Sequence, residues 1–146
     1  MKSMILTLAV CFAANAFALD ALPNGHWVGE GHGSMANGTP LKYHEELTVE
    51  NNTSTSVLTL GPETGTYVMK HTFKPGGFTD VSIEERAQNR TIAGNGYCGS
   101  IWCHVESNDH TFEMTYVFEP NGGVYELGSD TEQGQKGWFE SSLTKK

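Results

Sequence analysis

Apolar and polar residues alternate one by one along most of this chain, in short runs closed by turn formers, and that rhythm is the period of a β-strand. Tyr67, Met69, His71 and Phe73 fall on one face, with Thr66, Val68, Lys70, Thr72 and Lys74 on the other. Phe112, Met114, Tyr116 and Phe118 alternate in the same way with Thr111, Glu113, Thr115 and Glu119. The pattern predicts strands over 26–33, 41–51, 54–60, 65–74, 78–84, 89–93, 101–106, 111–119, 124–128 and 137–144. Between them stand Asn37-Gly38, Pro62, Pro75-Gly76-Gly77, Gly94-Asn95-Gly96, Asn108-Asp109 and Pro120-Asn121-Gly122-Gly123, which favour turns through their φ preferences or local hydrogen bonds. Only 83–88 has room for a brief helical turn. Connections this short exclude crossover helices, so the strands must run as an antiparallel meander. Closing that meander into a single up-and-down β-barrel of roughly ten strands removes its exposed edges.

The first strand has an unusual composition. Gly29, Gly31 and Gly33 share the parity of Trp27, which leaves the inward face of the strand bare beyond one large ring. Such a strand can bend sharply while the tryptophan plugs one end of the barrel. Pairing the first two strands around 34–39 sets Glu30 and His32 beside Lys42, His44 and Glu46 on the outer face. Glu30, His32, His44 and Glu46 carry the donor types of a zinc or copper site, but Lys42 among them repels a cation, so the cluster is expected to be a solvated polar face without metal. Glu45 points inward opposite Gly29, where a carboxylate needs a partner, and Arg86 and Arg90 are the only arginines the chain can offer.

Composition narrows the functional classes. The chain of 146 residues carries 17 acidic against nine basic residues, a net charge of −8. That field opposes nucleic acid and anionic membrane surfaces and would attract a cationic protein. The N-terminal segment 1–18 has the form of a signal peptide: Lys2, an apolar stretch over 4–12, and the small-residue site Ala16-Phe17-Ala18. The stretch is too short to span a bilayer, so a periplasmic or secreted protein with no membrane span is expected, with one domain over 19–146. In an oxidising compartment Cys98 and Cys103 are expected to form a disulfide across a tight turn. A zinc site at these thiols would need more ligands, and only His104 is adjacent in sequence.

The pattern Gly25-x-Trp27-x-Gly29-Glu30-Gly31-x-Gly33, followed by Pro40-Leu41-x-Tyr43-x-Glu45-Glu46-Leu47-Thr48, resembles the first hairpin of nitrobindin-like haem-binding β-barrels within the lipocalin-like (calycin) group. The resemblance implies an antiparallel barrel of about ten strands. Its haem-binding members carry an iron-ligating histidine in the last strand, where this chain has Gly137-Trp138-Phe139-Glu140-Ser141-Ser142-Leu143. Haem is therefore not expected as a cofactor, and no other cofactor is indicated. Only His71 could stand in as a ligand, and an inward histidine is more often hydrogen-bonded to a neighbour.

Nothing in the chain resembles a catalytic constellation. Glu45-Glu46 and Glu84-Glu85 are neighbours on strands, so each pair points to opposite faces and cannot flank one bond. The leading expectation is a lipocalin-like barrel that holds a small apolar or amphipathic molecule. Its lining would be Trp27, Tyr43, Tyr67, Met69, His71, Phe73, Met114, Tyr116 and Trp138. The alternatives are an acidic interaction or inhibitor module on a filled barrel, and a haem or metal protein using His71 or the outer histidine cluster.

Export and the disulfide are tested together by intact mass with and without thiol alkylation. The expected product starts at Leu19 and takes up alkyl groups only after reduction. Two free thiols in protein drawn from its native compartment would exclude the bridge.

Overall fold

A computed structural model describes residues 18–146; the expected signal segment lies almost wholly outside the described residues. The chain forms ten strands: β1 (Gly25–Ser34), β2 (Pro40–Glu50), β3 (Thr53–Leu60), β4 (Glu63–Phe73), β5 (Phe78–Glu85), β6 (Arg90–Cys98), β7 (Trp102–Ser107), β8 (Phe112–Phe118), β9 (Val124–Glu132) and β10 (Gln135–Lys145). Each pairs antiparallel with its sequence neighbour, and β1 pairs with β10 to close the barrel. Single 3-10 turns at Pro75–Gly77 and Arg86–Gln88 join β4 to β5 and β5 to β6. The second of these falls in the segment expected to turn helically.

One difference from the sequence pattern is instructive. Gly94-Asn95-Gly96, expected as a turn, lies inside β6. A Cβ at Gly94 would come within 2.4 Å of the Glu106 carbonyl oxygen, and one at Gly96 within 2.3 Å of that of His104. These glycines let β7 approach β6 closely rather than reversing the chain.

Alternation places the core where the period predicts it. Leu47, Val49, Met69, Ile83, Val105, Met114, Tyr116 and Leu143 are buried inside the barrel. Trp27 closes the end formed by the start of β1 and the end of β2. Its ring lies over Gly25, and its indole N–H donates to the Gly122 carbonyl at 2.8 Å. That single hydrogen bond satisfies the one polar atom of an otherwise apolar plug.

The closure depends on the glycines of β1. Gly29 pairs with Leu143 and Gly33 with Phe139. A Cβ at Gly29 would sit 2.0 Å from the Ser142 carbonyl oxygen, and one at Gly33 equally close to that of Trp138. Both obstacles are backbone, which cannot move without opening the β1–β10 seam. Gly31 is bare for a different reason, since the Tyr43 ring lies across it.

Gly29→Ala and Gly33→Ala are each expected to destabilise the barrel by about 1–3 kcal/mol or more through overpacking against backbone. Gly65→Ala is the control, because the nearest atom to its Cβ is a Tyr67 ring carbon at an ordinary 3.6 Å. Denaturant midpoints for the three variants check this, and equal midpoints would refute the closure argument.

Candidate functional site

Inside the barrel, below its apolar plug, lies a polar band that the sequence only partly revealed. Glu45 of β2 and Glu126 of β9 are both buried, at 2% and 1% exposure. The two strands are separated in the sheet by β1 and β10, where Glu45 stands opposite Gly29 and Glu126 opposite Ser141. Across this narrow seam the two carboxyls come close enough to interact. Arg86 and Arg90, the partners expected for Glu45, instead pair outside with Glu84 and Asp109. Among the described residues no lysine or arginine forms an ion pair with either carboxyl.

Two carboxylates in a dry interior cannot both be ionised at small cost. Burial raises the Glu126 pKa well above the ordinary carboxylate value, and the charge of Glu45 and a hydrogen bond to it push in the same direction. Glu126 is therefore biased toward its protonated form, and its buried Oε1 has no hydrogen-bond partner. Its other oxygen, Oε2, accepts from the Ser141 hydroxyl at 3.1 Å. Tyr43 and Tyr116 flank the pair, and burial together with both carboxyls raises their phenol pKa values, so both remain neutral donors. Tyr116 shares a hydrogen bond with Ser54 at 3.2 Å and points its hydroxyl at the Met69 sulfur, 3.6 Å away.

The acidic character extends to the opposite end from Trp27. Glu85, Asp130 and Glu132 have inward parity at the rim where β5 and β9 end, with Tyr67 beside them. Desolvation raises the Glu85 carboxyl above its ordinary range, partly offset by Arg90, and desolvation also raises Asp130. Carboxyls thus stand at this rim as well as at mid-depth, with the Phe139 ring over Gly128 between Asp130 and Glu126 on β9.

Most of the expected lining residues do face inward. Trp27, Tyr43, Met69, His71, Met114 and Tyr116 are buried, and Tyr67 and Phe73 are partly so. Trp138 does not belong with them. It is 43% exposed on the outer face and meets His32 edge-on at 5.8 Å. Gly137, Phe139, Ser141 and Leu143 hold the inward parity of β10, and Phe139 stacks on Phe112 at 6.2 Å. Counting back by twos from Leu143 would have excluded Trp138 and selected Phe139. No local signal marks Glu126 as the partner of Glu45, because their contact crosses the barrel.

The outer histidine cluster has the expected register, with Glu30 opposite His44 and His32 opposite Lys42. Its members pair one to one: His44 with Glu30 at 3.0 Å, His26 with Glu46 at 3.7 Å, and His32 with Glu140 at 2.8 Å. Each imidazole has its own carboxylate, so the donors do not converge on one point. His104, the histidine adjacent to Cys103, faces away from the cysteines and hydrogen-bonds Thr115 at 2.9 Å. Two open clefts of about 520 and 420 Å³ lie at the strand ends, lined in part by Asn24, His26 and Glu50 and by Lys74, Phe78 and Asn95. Neither is lined by the carboxyl pair.

The buried titratable groups give stability opposite pH slopes. Glu126 has its pKa raised in the fold, so its contribution is complete below the ordinary carboxylate range and is lost as pH rises toward the folded value. His71 is 3% exposed, and burial pushes its imidazole from 6.5 down to about 4. Its contribution is complete above 6.5 and is lost as pH falls toward 4, by about 3 kcal/mol over that interval. Glu126→Gln keeps a donor toward Glu45 and is expected to raise the melting temperature at about pH 8 more than at about pH 4. His71→Phe should flatten the acid limb. Parallel pH–stability curves for wild type and variants would contradict both assignments.

No protein-family model matches the chain, and no curated protein is significantly similar to it.

Proposed function

We propose that this barrel is an exported carrier of a small amphipathic molecule, held inside with a hydrogen-bonding or cationic head against Glu45 and Glu126. The observation that carries the proposal is the buried carboxyl pair with no basic partner. A barrel filled only for stability gains nothing from two such groups, because well-packed apolar residues of the same volume are as stable or more so. A ligand bearing an amine or guanidine would supply the missing positive charge and stabilise the ionised form that burial penalises at Glu126. The acidic rim of Glu85, Asp130 and Glu132 would concentrate such a ligand at the entrance.

The apolar part of the ligand would lie among Met69, Met114, Tyr116 and Phe139. Methionine suits that role because its unbranched thioether repacks around irregular shapes. Export is supported by the N-terminal sequence pattern, and membership of the nitrobindin-like group by the first hairpin and the strand number. Haem is not part of the proposal. The position that would supply its ligand in that group lies near Trp138, which faces outward.

The proposal is tested with an environment-sensitive amphipathic dye carrying an amine, compared with its neutral isostere. The amine form is expected to bind at least tenfold more tightly, a difference of about 1.4 kcal/mol. Glu126→Gln should narrow that preference, and Met69→Trp or Met114→Trp should weaken both dyes while leaving the fold intact. In a solid core the same tryptophans would overpack and cost about 1–3 kcal/mol of stability. No dye binding together with such destabilisation would reject the carrier and move function to the acidic exterior.

A further inference from the structure

Among the described residues, the one grouping of donors close enough to share a metal ion is His71, Cys98 and Cys103, whose ligand atoms all lie within 4.8 Å of one another. It is independent of the carboxyl pair. His71 sits on β4, Cys98 ends β6, and Cys103 pairs with it from β7, so three strands converge on the point. All three side chains are buried, both cysteines completely. The cysteines are joined as a disulfide, and His71 faces them with neither ring nitrogen hydrogen-bonded.

An imidazole buried with two unmatched nitrogens loses its hydration and gains nothing in return. Its stacking on Phe73 at 5.9 Å orients the ring but leaves both nitrogens unpaired. A core position facing a disulfide would be filled better by leucine or phenylalanine. A histidine there is accounted for if its lone pair has a second partner in another state of the cysteines.

We propose that reduction of the Cys98–Cys103 bridge converts this corner of the barrel into a metal site, with His71, Cys98 and Cys103 as ligands and Zn2+ as the preferred ion. The bridge takes two electrons and two protons from a dithiol reductant, which is itself oxidised to a disulfide, and two thiols result. On binding zinc the two thiols release two protons to solvent, and the sulfur lone pairs form the two Zn–S bonds. Donors around tetrahedral zinc lie roughly 3.5–3.8 Å apart, given bond lengths of about 2.0–2.3 Å. Small side-chain rotations reach that geometry once the S–S bond is open. Two thiolates with a neutral imidazole carry two negative charges, which a divalent ion cancels, and this matters in a dry interior. A fourth position stays free for water or a small anion, as in zinc sites with three protein ligands.

The barrel is expected to survive reduction, since the bridge joins residues already paired across neighbouring strands and closes a loop of only five residues' separation. The experiment titrates Zn2+, and Co2+ as its spectroscopic stand-in, into the mature protein under anaerobic conditions. The protein is first reduced with a dithiol that is then removed. One equivalent should bind to the reduced form and none to the disulfide form, with thiolate-to-cobalt charge-transfer bands in the Co2+ complex. His71→Phe should weaken binding by at least about a hundredfold, because even outer-shell partners of metal ligands are worth ten- to hundredfold. Far-UV circular dichroism confirms that the variant is folded. Cadmium-113 NMR of the reduced wild type reads the ligand set without any substitution, and the shift should be that of two sulfurs and one nitrogen. No stoichiometric binding to the reduced protein would overturn the proposal, as would a cadmium shift lacking sulfur or nitrogen, or equal binding by the oxidised form.

Discussion

The whole barrel rests on the close approach of β1 to β10, which only glycine permits. At Gly29 and Gly33 the carbonyls of Ser142 and Trp138 occupy the space that a side chain would need. The seam closes the sheet and removes its edges. Tyr43 lies across Gly31, and Glu45 reaches past Gly29 toward β9. A structural constraint on closure thus becomes a chemical one, because drawing β1 against β10 brings β2 and β9, which carry Glu45 and Glu126, to either side of one narrow seam.

That meeting sets the character of the interior. One end of the barrel is plugged by Trp27 and packed with aliphatic residues, while the other carries carboxyls of inward parity at its rim. Between them lies the pair at mid-depth, where the Ser141 hydroxyl donates to Glu126 and the nearby phenols of Tyr43 and Tyr116 bond to other groups. The pair is short of both hydrogen-bond donors and positive charge, with Glu126 Oε1 unpartnered, and a cationic group would relieve the imbalance. The corner formed by His71 and the two cysteines has a different imbalance, since its hydrogen-bonding capacity goes unused.

The outer face behaves as a surface. His26, His32, His44 and His110 each meet one carboxylate, and Lys74 and Lys136 pair with Asp80 and Glu113. Exposed pairs of this kind contribute little to stability, at most about 1 kcal/mol each. Their regularity contrasts with the unpaired interior and directs attention inward.

The sequence by itself determined the strand order, the barrel class and the inward faces of β4 and β8, because side-chain alternation has a period of two and needs no information from outside the strand. It also determined the first hairpin's register and the inward direction of Glu45. It misled at Gly94-Asn95-Gly96, where glycines serving close strand approach look like a turn, and at Trp138, where an aromatic of the wrong parity looked like lining. Only the tertiary structure decided which groups face one another across the barrel: Glu126 for Glu45, and His71 rather than His104 for the cysteines. Those contacts join strands that are not neighbours in the sheet, and their geometry depends on barrel closure and strand tilt, which no local pattern of residues records.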